Sequence, residues 1–134
     1  MPVFFVDRSL GSHLFPDALA AAGLTIERHH DHFAHDADDE DWIRFAAAND
    51  WYALSQDDRI YRNPVQREIV MTAGLGYFVL TAANAKAVEV AANFVATYPA
   101  IERFIARTGR PFIASVQRSS VAGRPGRVAL RWPR

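Results

Sequence analysis

The chain contains no cysteine and a single lysine, Lys86. The first absence removes disulfide frameworks, thiolate zinc sites and cysteine nucleophiles. The second leaves arginine as nearly the whole cationic inventory. No glycine-rich phosphate loop is present either, since Gly74-Leu75-Gly76 reads as a helix stop and turn. No apolar run approaches the ~20 residues that span a bilayer, so no membrane partner is expected. The chain opens directly on a strand, without the charged region and cleavage site of a signal peptide, and cytoplasmic residence is the expectation. No internal repeat or low-complexity linker breaks the sequence.

What is present is a chain of 134 residues, half of them hydrophobic. That is enough for one core, and residues 1–134 are read as a single domain, with 118–134 as a basic hairpin or arm. The net charge is zero, yet the charges are segregated. Nine acids lie between Asp31 and Asp58 against one base, Arg44, whereas eight arginines and no acid follow from Arg103 onward. The segregation fits either ordinary solubility or an acidic edge beside an arginine surface that grips phosphates.

Hydrophobic patterning predicts strands at 3–6, 24–28, 51–54, 77–80, 112–116 and 128–132. Helices are predicted at 14–22, with Leu14, Ala18, Leu19 and Ala22 on one face, and from Asp38 or Asp39 to Ala48. A third follows the Asn63-Pro64 cap and closes at Gly74. The stretch 86–97 predicts another helix, with a separate one at 99–108 after a break at Pro99. Residues 29–38 read as a polar loop and 118–126 as a hairpin loop. Alternating strands and helices imply an α/β domain with a mainly parallel sheet.

Carboxylates stand where such a sheet binds ligands, beyond the carboxyl ends of its strands. Asp7 ends the first strand and Asp57 follows the third. Between them lies the run Asp36 to Asp41, at the start of a helix. Each has an ordinary explanation as a turn former or a solvated helix start. Together, they repel one another unless a proton or cation intervenes, and a divalent metal is the usual means.

The pattern Phe4-Phe5-Val6-Asp7, then Asp39-Glu40-Asp41-Trp42-Ile43, then Leu54-Ser55-Gln56-Asp57-Asp58-Arg59-Ile60 resembles the PIN-like nuclease superfamily. It is closest to the compact bacterial branch of VapC-type toxins. The resemblance spans roughly residues 1–116 and implies a three-layer α/β/α fold. It also implies hydrolysis of RNA phosphodiesters with Mg²⁺ or Mn²⁺ held by Asp7, a central acid and Asp57. Asp39 and Asp41 are both candidates for the central acid, because successive helical residues are about 100° apart and only one or two can face the site. Ser55 would support Asp57 or contact a bound water, and Asp31 and Asp58 are candidate supporting acids. Many relatives carry a basic residue just after the last aspartate, where this chain has Asp58. A cognate antitoxin and a homodimer are the partners the resemblance implies, with Phe94, Val95, Tyr98, Ile101, Phe104 and Ile105 forming core or interface. Arg8, Arg59, Arg103, Arg107 and Arg110 are candidate nucleic-acid contacts, the last three forming either a substrate-facing strip or a solvated helix face.

Rival readings remain. A catalytically degenerate module that binds nucleic acid or a protein partner accounts for Asp58 and the ambiguous central acid. A receiver-like phosphoacceptor matches the acids after two strands and Thr81 after the fourth. It lacks the lysine that contacts the phosphoryl group, since Lys86 sits on a predicted helix. A haloacid-dehalogenase-like phosphatase would need a second aspartate where Ser9 stands. Zinc would require three or four of His29, His30, His32 and His35 to converge, and consecutive histidines in a strand cannot all point one way.

Overall fold

A computed structural model describes residues 1–81, 85–121 and 123–133. Its strands are β1 (Val3–Val6), β2 (Thr25–Arg28), β3 (Tyr52–Ser55), β4 (Gly76–Thr81), β5 (Phe112–Gln117) and β6 (Arg127–Trp132). The helices are α1 (Leu14–Ala21), α2 (His29–His32), α3 (Asp39–Ala48), α4 (Arg59–Arg62), α5 (Pro64–Ala73) and α6 (Ala87–Arg107). The strands form one sheet in the order β2-β1-β3-β4-β5-β6. All neighbouring pairs are parallel except the antiparallel β5–β6 pair. The expected α/β/α arrangement with a mainly parallel sheet is the one found. The C-terminal segment completes the sheet as a hairpin with β5 and does not project as an arm; position 122 of its loop lies outside the described residues.

Side-chain alternation along the strands builds the three layers, because successive residues face opposite sides of a sheet. Phe4, Val6, Leu54 and Phe78 pack with Phe15 and Leu19 of α1 and with Phe94 and Ile101 of α6. Phe5, Ala53, Tyr77 and Val79 pack on the other side with Trp42 and Ile43 of α3 and Val70 of α5. Both faces of the central strands are thereby covered, as parallel sheets require.

The structure departs from the sequence expectations in three elements. One continuous helix, α6, replaces the two expected around Pro99. Proline in a helix interior costs roughly 3 kcal/mol. Phe94, Ile101 and Phe104 lie on one buried face across it, and burial contributes about 1.5–3 kcal/mol for each such side chain. Packing outweighs the proline. The polar stretch after β2 contains the short helix α2. In α1 the buried face is made by Phe15, Pro16 and Leu19, and Leu14 is exposed.

The Asn63 cap and the Gly74 stop behave as expected. Asn63 Oδ1 accepts from the Val65 and Gln66 amides at 2.9 and 3.4 Å. Gly74 ends α5 with φ 80°, a left-handed conformation that a side chain disfavours. At Gly126 the demand is spatial, since an added Cβ would collide with the Gln117 carbonyl.

Candidate active site

The parallel topology carries the ends of β1 and β3 to the same sheet edge, paired Val6 to Leu54. The Asp7 amide extends this pairing by donating to the Leu54 carbonyl at 2.9 Å. Asp7 is buried at 5% exposure. Its Oδ1 accepts from the Arg8 amide at 2.7 Å, capping a 3-10 turn at Arg8–Leu10, and its Oδ2 accepts from the Ser55 hydroxyl at 3.0 Å.

Ser55, the last residue of β3, ties the edge together. Its Oγ also accepts from the Asp57 amide at 3.0 Å, so one hydroxyl fixes the Asp7 carboxylate and the backbone that carries Asp57. Ser9 Oγ lies 3.1 Å from Ser55 Oγ and accepts from the Gln56 amide at 3.0 Å. Because the Ser55 proton is directed to Asp7, Ser9 is the donor between the two hydroxyls. The expectation for Ser55 thus resolves into support of Asp7 by its side chain and of Asp57 through the main chain.

Asp39 opens α3 and is half-buried. It accepts at Oδ1 from the Trp42 indole N–H at 3.0 Å and from Arg8 Nη2 at 3.0 Å. The first bond is an i, i+3 contact on one helix face. Asp41 is exposed and lies about 200° around the helix from Asp39. The structure therefore brings Asp39, and not Asp41, to the edge shared with Asp7. Asp38 is the N-cap of α3 without making a side-chain cap bond.

Asp57 is gripped at both oxygens by Arg59, through Nε at 2.9 Å and Nη2 at 2.7 Å. This guanidinium holds the Asp57 carboxyl below the usual carboxylate range, with burial opposing and the neighbouring Arg8 charge assisting. The basic partner of Asp57 is thus Arg59, two positions on. Asp58 itself faces Arg62 at 3.3 Å, and Asp31 is exposed beside His30 at 3.4 Å. Neither reaches the three aspartates.

Three groups that the sequence does not mark as neighbours of the aspartates complete the arrangement. The Tyr77 phenol is fully buried, and burial pushes it well above its ordinary value, with Asp7 next in effect and Asp57 and Asp39 adding to it. A polar contact with Ser55 opposes that shift. All three aspartates thus act on one buried phenol, which stays protonated. His29 is buried, and its Nε2 lies 3.1 Å from Arg8 Nη1. An arginine N–H only donates, so His29 Nε2 accepts. Burial first, then the Arg8 charge, lower the His29 pKa. The third group is the Trp42 indole already described.

Asp39 and Asp57 each meet a guanidinium, whereas Asp7 is held by the Arg8 amide and the Ser55 hydroxyl. Among the described residues, no group of three histidines, aspartates or glutamates forms a metal-binding cluster. This includes the histidines of α2, which do not gather into a zinc site. The Arg8–Asp39 pair is partly exposed, with side chains at 29% and 38%, and Arg59 is 72% exposed. Ion pairs of this kind are worth about 0–1 kcal/mol and open readily.

Arg103, Arg107 and Arg110 lie elsewhere. Helix α6 begins after β4 and ends before β5, so its C-terminal turn reaches the opposite sheet edge. Arg110 stacks 4.7 Å from the Tyr52 ring centroid, at the start of β3, and Arg107 packs over Phe104 at 5.7 Å. The structure does not bring this strip to the aspartates.

Residues 2–82, which include every aspartate discussed, match the model of the PIN like domain family. A protein of Mycobacterium tuberculosis (strain ATCC 25618 / H37Rv) named "Putative ribonuclease VapC45" is 36% identical over 121 residues, covering 87% of each chain. No solved structure gives a significant match.

Proposed function

The chain belongs to the PIN-like domain family, and from that footing we propose that it is a metal-dependent ribonuclease using Asp7, Asp39 and Asp57. The observation that carries the reading is the buried Asp7, fixed at both oxygens and sharing one strand-end edge with the other two. RNA is the proposed substrate, in line with the name of the relative in M. tuberculosis.

The donor set suits Mg²⁺ or Mn²⁺. It consists of hard carboxylate oxygens, and it already attracts cationic groups, since Arg8 sits on Asp39 and Arg59 on Asp57. Mg²⁺ needs only one or two protein carboxylates beside water and phosphate oxygens. When bound, such an ion supplies a more acidic water and a counter-charge for the phosphate. Asp7 keeps its orientation through Ser55 and the Arg8 amide. Asp39 would hold a second metal or orient the attacking water. Arg8 and Arg59 carry the planar forks that pair with phosphate oxygens, and their weak ion pairs yield to an incoming phosphodiester.

The expected outcome is cleavage of single-stranded RNA with Mg²⁺ or Mn²⁺. Asp7→Asn or Asp57→Asn lowers the rate by about 100-fold or more without unfolding the protein. Cleavage retained in both variants would sink the assignment. The biological role we infer is that of the toxin in a toxin–antitoxin pair, residues 1–134 acting as one cytoplasmic domain with an antitoxin partner and a homodimer. An adjacent reading frame for a small DNA-binding protein would support it, as would co-purification of that protein.

A second reading is favoured by one observation: two of the three aspartates carry an arginine, and no three-group cluster forms among the described residues. A degenerate module that binds nucleic acid or protein without hydrolysis fits this. Absence of Mn²⁺ binding below millimolar concentrations would select it.

A further inference from the structure

Beside the aspartates lies a cavity of about 270 Å³ that the mechanism above does not use. Its walls include Arg8, Ser12 and the imidazoles of His13, His29, His30 and His35. Arg8 is shared, since the guanidinium that contacts Asp39 also touches His29 at this wall. The cavity therefore adjoins the carboxylate edge directly.

None of the lining residues is acidic. The imidazoles do not form a metal cluster among the described residues. His13 and His30 are exposed, with ring centroids 6.0 Å apart and planes tilted by 56°. Single-stranded RNA is held by stacking unpaired bases on aromatic rings, histidine included, or on arginine planes. The volume lies just below the roughly 300 Å³ at which ligand pockets begin, a size for one base and its phosphate and not for a duplex.

We propose that this histidine-walled cavity is the subsite for the nucleotide next to the scissile phosphate, its base stacking on one of the two exposed imidazoles, His13 or His30, and its phosphate meeting Arg8. The proposal rests on the ribonuclease reading and deepens it to single-stranded RNA with one unstacked base. The buried His29 and the exposed His35 also line it, and Asp31 lies 3.4 Å from His30.

The test is fluorescence anisotropy of a labelled single-stranded RNA in EDTA, where hydrolysis does not intervene. His13 and His30 are exposed, so their variants should fold, and a thermal melt checks this. The double variant H13A/H30A is expected to bind at least about fivefold more weakly, the lower end of one base–aromatic stack. The double variant H13F/H30F, which keeps two rings, is expected to stay within about twofold of wild type. Equal binding by H13A/H30A overturns the subsite, as does a loss in H13F/H30F matching that of the alanine variant. A parallel cleavage assay with Mn²⁺ separates the two claims. Wild-type cleavage with unchanged H13A/H30A binding removes the subsite alone, whereas a wild type that neither binds nor cleaves removes the ribonuclease reading with it.

Discussion

At the residue scale, the Ser55 hydroxyl is the hinge of the site. It serves the Asp7 carboxylate and the Asp57 amide at once, so two aspartates distant in sequence are fixed by a third residue. Asp7 and Asp57 are legible from the sequence because both follow strands whose ends a parallel sheet must align. Asp39 separates from Asp41 only once the helix phase and the Arg8 contact are known. Tyr77, Ser9 and His29 escape sequence reading because their roles depend on tertiary neighbours, although Ser9 stands two residues after Asp7. His29 also makes a pH prediction. The folded state binds its proton only below the ordinary pKa of 6.5, so between the two values the unfolded state holds more protons and stability rises with pH. Wild-type melting temperature should therefore fall as pH drops through about 6.5, and His29→Gln, which cannot titrate, should flatten that decline. A parallel decline in both proteins would contradict it.

At the scale of elements, local capping signals read correctly and long-range packing does not. Asn63 and Gly74 delimit α5 through chemistry contained in a few residues. Pro99 misleads because its local cost is overridden by a buried face that spans it. The strands were legible in order and type, since apolar runs bounded by turns have few alternatives in a βα alternation. Asn63→Ala should remove the cap of α5 and cost about 1 kcal/mol in chemical denaturation. The cap bonds stay within residues 63–66, so RNA cleavage should persist in that variant. An unchanged unfolding midpoint would show that the cap bonds contribute nothing.

At the scale of the molecule, the charge gradient in the sequence has a different meaning in three dimensions. The acidic segment does reach the candidate site, but the arginines at the end of α6 sit at the far sheet edge. The cations that face the aspartates are Arg8 and Arg59, drawn from the strand-end loops themselves. Replacing Arg103 and Arg107 together by alanine should leave RNA affinity within about twofold at constant salt, because they make no phosphate contact near the site. A large loss would place the substrate across that edge. No helix among the described residues is long and apolar enough to cross a membrane. The proposed site has Asp7, Asp39 and Asp57 serving metal binding together, once Arg8 and Arg59 give way. Titration calorimetry with Mn²⁺ tests it most directly. Binding below millimolar concentrations is expected in the wild type, and its loss in both Asp7→Asn and Asp57→Asn. Binding that is absent from the wild type, or unchanged in the two variants, would contradict it.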